Sequence, residues 1–176
     1  MTATEHVILV DLNDNPLGTA EKLSAHQQGL CHRAFSVFIF RQGVTTEVLL
    51  QQRAHHKYHS PGLWTNTCCS HPRPDEEIVR AGERRLKEEM GIQTTLEWAG
   101  KFHYVAHFEN GLIENEVDHV LVGSLAQESF HVNPEEVQDY RWVDVSVLYE
   151  EIAREPDRFT PWLKQALEIA TASLRA

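Results

Sequence analysis

The chain has 176 residues, 16 basic against 26 acidic, a formal charge of −10, and a composition 41% hydrophobic and 24% charged. That suits one soluble domain with its own core and argues against global disorder. So acidic a chain is a poor nonspecific ligand for nucleic acid or an anionic membrane, though local cationic clusters can still hold a small anion. The first residues, MTATEHVILV, lack a basic n-region, and no stretch nears the roughly 18 apolar residues of a membrane span. Three cysteines, Cys31, Cys68 and Cys69, two of them adjacent, make a poor disulfide framework. The expectation is a reduced, cytoplasmic protein, monomeric or weakly dimeric.

In chain order, Glu5–Asp11 reads as a strand and NDNPLG after it as a turn. Arg33–Phe40 is a nearly continuous apolar run, hence a central buried strand, with Glu47–Arg53 as its antiparallel partner. AHHKYHSPG is a polar loop, and Leu63–Cys69 a short strand. Asp75–Met90 is a helix, preceded by Pro72 and Pro74 and stopped by Gly91, with Ile78, Val79, Gly82, Leu86 and Met90 on one face. Strands return over 96–108 and 112–125 around the turn ENG, then over 139–146. Helices follow over 146–155 and 161–174. The fold class is α+β, one domain over residues 1–176, a mixed β-sheet flanked by helices.

Alternation in LIENEVDHVLV points Ile113, Val117 and Leu121 one way and Glu114 and Glu116 the other, the two glutamates roughly 7 Å apart at Cα. Adjacent carboxylates repel unless a cation or proton lies between them. They form either a solvated sheet face or part of a metal site. His26 and His32 flank QQGLC, and His71 shares a strand face with Cys69 two residues earlier. Imidazole and carboxylate together suit Zn²⁺ or Mn²⁺. Cys31 and Cys68 read as small buried hydrophobes. Cys69, beside a histidine and before a charged helix, is the thiol placed for acid–base work.

The segment Ser70-x5-Glu76-x7-Arg84-Arg85-Leu86-Lys87-Glu88-Glu89-Met90-Gly91-Ile92 resembles a Nudix box, G-x5-E-x7-R-E-U-x-E-E-x-G-U, where U is a bulky aliphatic. Ser70 replaces the first glycine, and Arg85 replaces a glutamate. A guanidinium there repels Mg²⁺ but can grip a phosphate, while Glu89, one turn on, still holds a cation. Together with WTNTCCSHP and the ENE of residues 114–116, the pattern resembles type I isopentenyl-diphosphate isomerase, a Nudix-fold family, over nearly the whole chain.

The resemblance implies interconversion of isopentenyl and dimethylallyl diphosphate through a carbocation-like intermediate, without a redox cofactor. It implies Cys69 and Glu116 as acid–base groups with Tyr104 as helper. It implies a divalent ion, Mn²⁺ or Zn²⁺, on His26, His32, His71, Glu114 and Glu116. A Mg²⁺ arriving with the diphosphate falls to Glu89 and the Cys69 main-chain carbonyl. Lys22, Arg53, Lys57 and Arg85 line the diphosphate pocket, and Trp162 faces the hydrocarbon end. The rivals are a Nudix hydrolase, against which Arg85 and Cys69 argue, and a metal-sequestering module, which leaves the cations and Trp162 without a role.

Overall fold

The computed structural model describes residues 4–57, 60–125 and 129–175; Tyr58 and His59, inside the expected polar loop, lie outside them. The strands are β1 (His6–Val10), β2 (Pro16–Glu21), β3 (His32–Gln42), β4 (Thr46–Arg53), β5 (Trp64–Thr65), β6 (Cys68–Ser70), β7 (Glu97–His107), β8 (Ile113–Ser124) and β9 (Val137–Asp144). The helices are α1 (Lys22–Gln28), α2 (Ile78–Met90), α3 (Val145–Arg154) and α4 (Leu163–Ser173). None is long and apolar enough to cross a membrane.

The nine described strands form one mixed sheet with β3 as its spine. One edge of β3 runs parallel to β8, from the His32–Glu116 pair to Phe40–Ser124. The other edge is shared by three antiparallel neighbours: β1 at His32, β6 at Phe35–Val37 and β4 at Phe40–Gln42. Where β3 and β4 part, the Thr67 hydroxyl spans the gap. It accepts the Ile39 N–H at 2.9 Å and donates to the Leu49 carbonyl at 2.6 Å.

Alternation along β3 feeds two cores, one on each face of the strand. Phe35, Val37 and Ile39 pack beneath α2 with Leu86 and Met90. Phe38 and Phe40 pack on the opposite face with Leu148 of α3 and Leu163 and Leu167 of α4. The expected central strand, its antiparallel partner and the α+β class are all present.

Two elements differ clearly in extent from the sequence reading, and two more, β2 and α1, are absent from it. The helix expected from Asp75 starts at Ile78, because Asp75 sits at φ +66° and the Glu77 side chain caps the first turn through the Val79 and Arg80 amides. The strand expected over Leu63–Cys69 is two short strands, β5 and β6, separated by Asn66 and Thr67. β2 follows the tip of the NDNPLG turn, and its mostly exposed residues give no apolar alternation. α1 is only seven residues long, too short for a clear helical period.

Gly91 ends α2 at φ +69°, and a Cβ there would lie 2.4 Å from the His131 carbonyl oxygen. Both the conformation and the contact require glycine. Gly91→Ala is therefore expected to cost at least about 1 kcal/mol in urea unfolding. An unchanged midpoint would contradict this account of the helix end.

Candidate active site

Elements distant in sequence bring polar side chains together around the first half of β3. Glu116 is the centre. It is 4% exposed, with Glu114 and Asp118 beside it on the same face of β8 at 2% each. Three imidazoles turn toward one of its oxygens: His71 Nε2 at 3.1 Å, His32 Nε2 at 3.2 Å and His26 Nε2 at 3.9 Å. His26 comes from α1, His32 opens β3 and His71 follows β6. The second nitrogens of two rings are tied to main-chain carbonyls, His26 Nδ1 to Lys22 and His32 Nδ1 to Leu30, both at 2.8 Å.

The donor atoms of His26, His32, His71 and Glu116 lie within 4.8 Å of one another. Three imidazoles and one carboxylate oxygen, with outer carbonyls orienting two rings, suit a borderline divalent ion. Glu114 lies beside this four-donor group rather than within it. The Tyr104 hydroxyl spans the two glutamates, 3.1 Å from Oε2 of Glu114 and 3.0 Å from Oε2 of Glu116.

The carboxylates are pushed in opposite directions. Burial opposes ionisation of Glu116, but His71 and His32 more than offset it and hold it well below the usual range. Burial and the neighbouring Glu116 push Glu114 up to about 8 and Asp118 well above its ordinary value. Burial takes His71 down to about 3, against the pull of Glu116.

Cys69 lies across β3 from Glu116. It pairs with Ser36 on one edge of that strand, whereas Glu116 pairs with His32 on the other. Its half-buried thiol donates to Asn66 Oδ1 at 3.0 Å and receives the Trp162 indole N–H at 3.2 Å. Burial and the Asp118 charge push the thiol up to about 12, so it is protonated near neutrality. Cys68 turns the opposite way, into the core beneath α2, where its thiol donates to Glu89 Oε2 at 2.8 Å.

A cavity of about 70 Å³ joins these groups. It is lined by the catalytic candidates Cys69, Glu116 and Tyr104, by His71 and Glu89, and by Lys22, Arg53, Lys57, Arg85 and Trp162. All four expected cations therefore reach it. The Arg53 guanidinium lies 5.8 Å from the Trp162 ring centroid, and the Tyr104 ring lies 6.1 Å from it. Arg85 pairs with Glu88 at 2.6 Å, Glu89 at 3.0 Å and Glu136 at 3.4 Å, while Lys22 pairs with Glu5 at 3.2 Å. The wall formed by Lys22, Ser70, His71 and Arg85 continues into an outer space of about 540 Å³.

A NUDIX domain model matches residues 31–163. The chain is 49% identical over 168 residues to isopentenyl-diphosphate Delta-isomerase of Burkholderia multivorans, covering 94% of this chain and 93% of that protein. It is 49% identical over 159 residues to the enzyme so named in Serratia proteamaculans (90% and 87% covered), and 46% identical over 164 residues to isopentenyl-diphosphate Delta-isomerase 2 of Aromatoleum aromaticum (93% and 85%). The chain belongs to the Nudix family, in its isopentenyl-diphosphate isomerase branch. Among solved structures, a Deinococcus radiodurans protein matches with TM-score 0.74 at 15% identity, covering 93% of this chain and 98% of that one. A MutT protein from Methanosarcina mazei matches with TM-score 0.64 at 16% identity, covering 83% and 96%. These two matches establish the shared fold.

Within the Nudix frame, the box arginine and first glutamate form a two-pronged pair, Arg84 Nε to Glu76 Oε2 at 2.8 Å and its NH2 group to Oε1 at 2.9 Å. That pair braces the loop ahead of α2 against the helix. The sequence reading missed Asn66, Thr65, Ser36, Asp118, Thr160 and Glu136. Asn66 and Thr65 stand inside WTNTCCSHP, and Asp118 continues the alternation of Glu114 and Glu116, so a signal was present for these three. Ser36, Thr160 and Glu136 come from distant segments and carry none.

Asn66 is fully buried, and its amide orientation is set by donation to the Val37 and Cys68 carbonyls at 3.1 and 2.9 Å. Its oxygen must then face Thr65 Oγ1, Cys69 Sγ and Trp162 Nε1, at 2.9, 3.0 and 3.1 Å. Thr65 also bonds Thr160 at 2.7 Å, fixing the segment that carries Trp162. Asn66→Leu orphans buried partners on both sides, and is expected to lose at least about 2 kcal/mol in urea unfolding. Wild-type stability in that variant would show that the array is not needed.

Proposed function

We propose that this chain interconverts isopentenyl and dimethylallyl diphosphate, in the cytoplasm, as a step of isoprenoid biosynthesis. One observation carries the reading: the Cys69 thiol and the Glu116 carboxylate line one small cavity from opposite edges of β3, with Trp162 in its wall. An acid and a base so placed suit addition of a proton at one end of a three-carbon allylic unit and removal at the other.

In this mechanism the Cys69 thiol gives its proton to the terminal alkene carbon of isopentenyl diphosphate. Positive charge develops on the tertiary carbon, and the Glu116 carboxylate takes a proton from the neighbouring methylene. The new double bond forms between those two carbons. Cys69 is left as thiolate and Glu116 as carboxylic acid; proton exchange with solvent resets both. Tyr104 donates to Glu116 and orients the oxygen that accepts. The Trp162 face stabilises the developing cation by roughly 2 kcal/mol once water is excluded. Its indole N–H rests on the Cys69 sulfur, so the ring and the acid keep a common position.

His26, His32, His71 and Glu116 would hold the resident Zn²⁺ or Mn²⁺, with Glu114 beside them. When bound, that ion supplies positive charge that lowers the proton affinity of Glu116. Lys22, Arg53, Lys57 and Arg85 bind the diphosphate, with a Mg²⁺ carried toward Glu89. Binding energy gathered there is remote from the reacting carbons and serves to fix their position. The four cations also account for how a chain of net charge −10 takes an anionic substrate.

Incubation of the protein with isopentenyl diphosphate, Mg²⁺ and Mn²⁺ is expected to yield the allylic isomer with no phosphate release. Phosphate release without isomer would replace this reading with hydrolysis. Cys69→Ala is expected to lower kcat by about 10⁴-fold with little change in diphosphate binding, while Cys31→Ala and Cys68→Ala keep the chemistry. Arg85→Glu is expected to weaken binding by at least about tenfold without creating a hydrolase, because it sets a like charge beside the diphosphate. Near-normal turnover of Cys69→Ala, or brisk hydrolysis by Arg85→Glu, would overturn the assigned roles.

A further inference from the structure

Glu136 stands just ahead of β9, outside the Nudix box and outside the thiol and histidine motifs. Its carboxylate forms an ion pair with Lys57 through Oε2 and lies 3.4 Å from Arg85 through Oε1. One residue thus contacts two of the four cations that line the cavity. Those cations come from separate elements, Lys57 from the loop after β4 and Arg85 from α2.

The main chain around Glu136 is well anchored. Asn133 N–H donates to the Glu89 carbonyl of α2 at 2.8 Å, and the Glu136 and Val137 amides return to the Asn133 carbonyl at 3.0 and 2.9 Å. The His131 carbonyl packs where a Gly91 side chain would stand. On the other side, the Glu136 carbonyl accepts the Ala54 N–H at 3.2 Å. Lys57 is held locally by a turn, its N–H reaching the Ala54 carbonyl at 3.3 Å. A long lysine stem on such a loop keeps considerable rotamer freedom unless its head is held.

We propose that Glu136 is a positioning residue for substrate binding: its carboxylate, fixed to the end of α2, aims the Lys57 ammonium and the Arg85 guanidinium at the diphosphate. The inference rests on the reading of Lys57 and Arg85 as diphosphate ligands. It separates Glu136 from the chemistry at the five-carbon end, which Cys69, Glu116, Tyr104 and Trp162 carry out. A lysine has three donors, so Lys57 can keep Glu136 and still offer a proton to a phosphate oxygen. Arg85 meets Glu136 with NH2, and its buried Nε has no hydrogen-bond partner among the described residues.

The test is steady-state kinetics with competition by Mg²⁺-inorganic diphosphate, on Glu136→Gln, Lys57→Met and the double variant. Glu136→Gln keeps the shape and leaves the main-chain bonds to Asn133 and Ala54 in place. It is expected to raise KM and the inhibition constant of diphosphate by about tenfold, with kcat within about twofold of wild type. Lys57→Met is expected to raise both constants, and the double variant to fall well short of the product of the two single effects. With the diphosphate pocket intact, the proposal is overturned by unchanged constants in Glu136→Gln while Lys57→Met raises them, by a lowered KM in Glu136→Gln, or by effects that multiply. A lowered KM would mean that the carboxylate competes with the diphosphate. Should Lys57→Met leave both constants at wild type, the assignment of the diphosphate pocket would fail, and the proposal with it.

Discussion

Three carboxylates buried in a row on one face of a single strand are the constraint around which this fold is arranged. Glu114, Glu116 and Asp118 together cannot all be ionised away from water without compensation. The compensation comes from three directions at once. α1 brings His26, β3 opens with His32, and the chain just after β6 brings His71, all to one oxygen of Glu116. Glu116 is thereby held well below the usual carboxylate range, while burial and its charge push its two neighbours up. The imbalance favours Glu116 as the proposed base.

The pairings of β3 set that electrostatic arrangement at a fixed spacing from Cys69. His32 and Glu116 are ladder partners, and four residues along β3 Ser36 is the partner of Cys69. A single strand therefore spaces Glu116 from Cys69, the proposed base and acid. Trp162, at the start of α4, is tied to both Cys69 and Asn66 through its indole N–H. Arg85 shows how the same helix frame serves an isomerase. In place of a carboxylate it sets a guanidinium that bonds Glu88 and Glu89 and lines the cavity, where its proposed role is to hold the diphosphate.

Much of this was legible in residue order because it is periodic or local. The apolar run 33–40 could only be a covered strand, and alternation in LIENEVDHVLV placed the two glutamates on one face. The separation of Cys69 from Cys68 followed from the same period of two. Alternation also left open a solvated glutamate face, and the structure buries it. What escaped was short or tertiary. α1 has too few residues for a helical stripe, and β2 is an exposed edge strand without an apolar face. The Asn66 array depends on β3, β6 and α4 meeting, and Glu136 acts across a distance of 79 residues from Lys57. No spacing rule joins such pairs.

The central claim is that buried Glu116 shares a metal ion with three histidines. It is tested most directly by anomalous diffraction from crystals grown with Mn²⁺ or Zn²⁺, collected on either side of the metal absorption edge. The account predicts one strong peak at roughly 2.0–2.3 Å from a ring nitrogen of His26, His32 and His71 and from a Glu116 oxygen. The cluster empty of anomalous signal, in crystals of protein that isomerises at full rate without either metal, would contradict it.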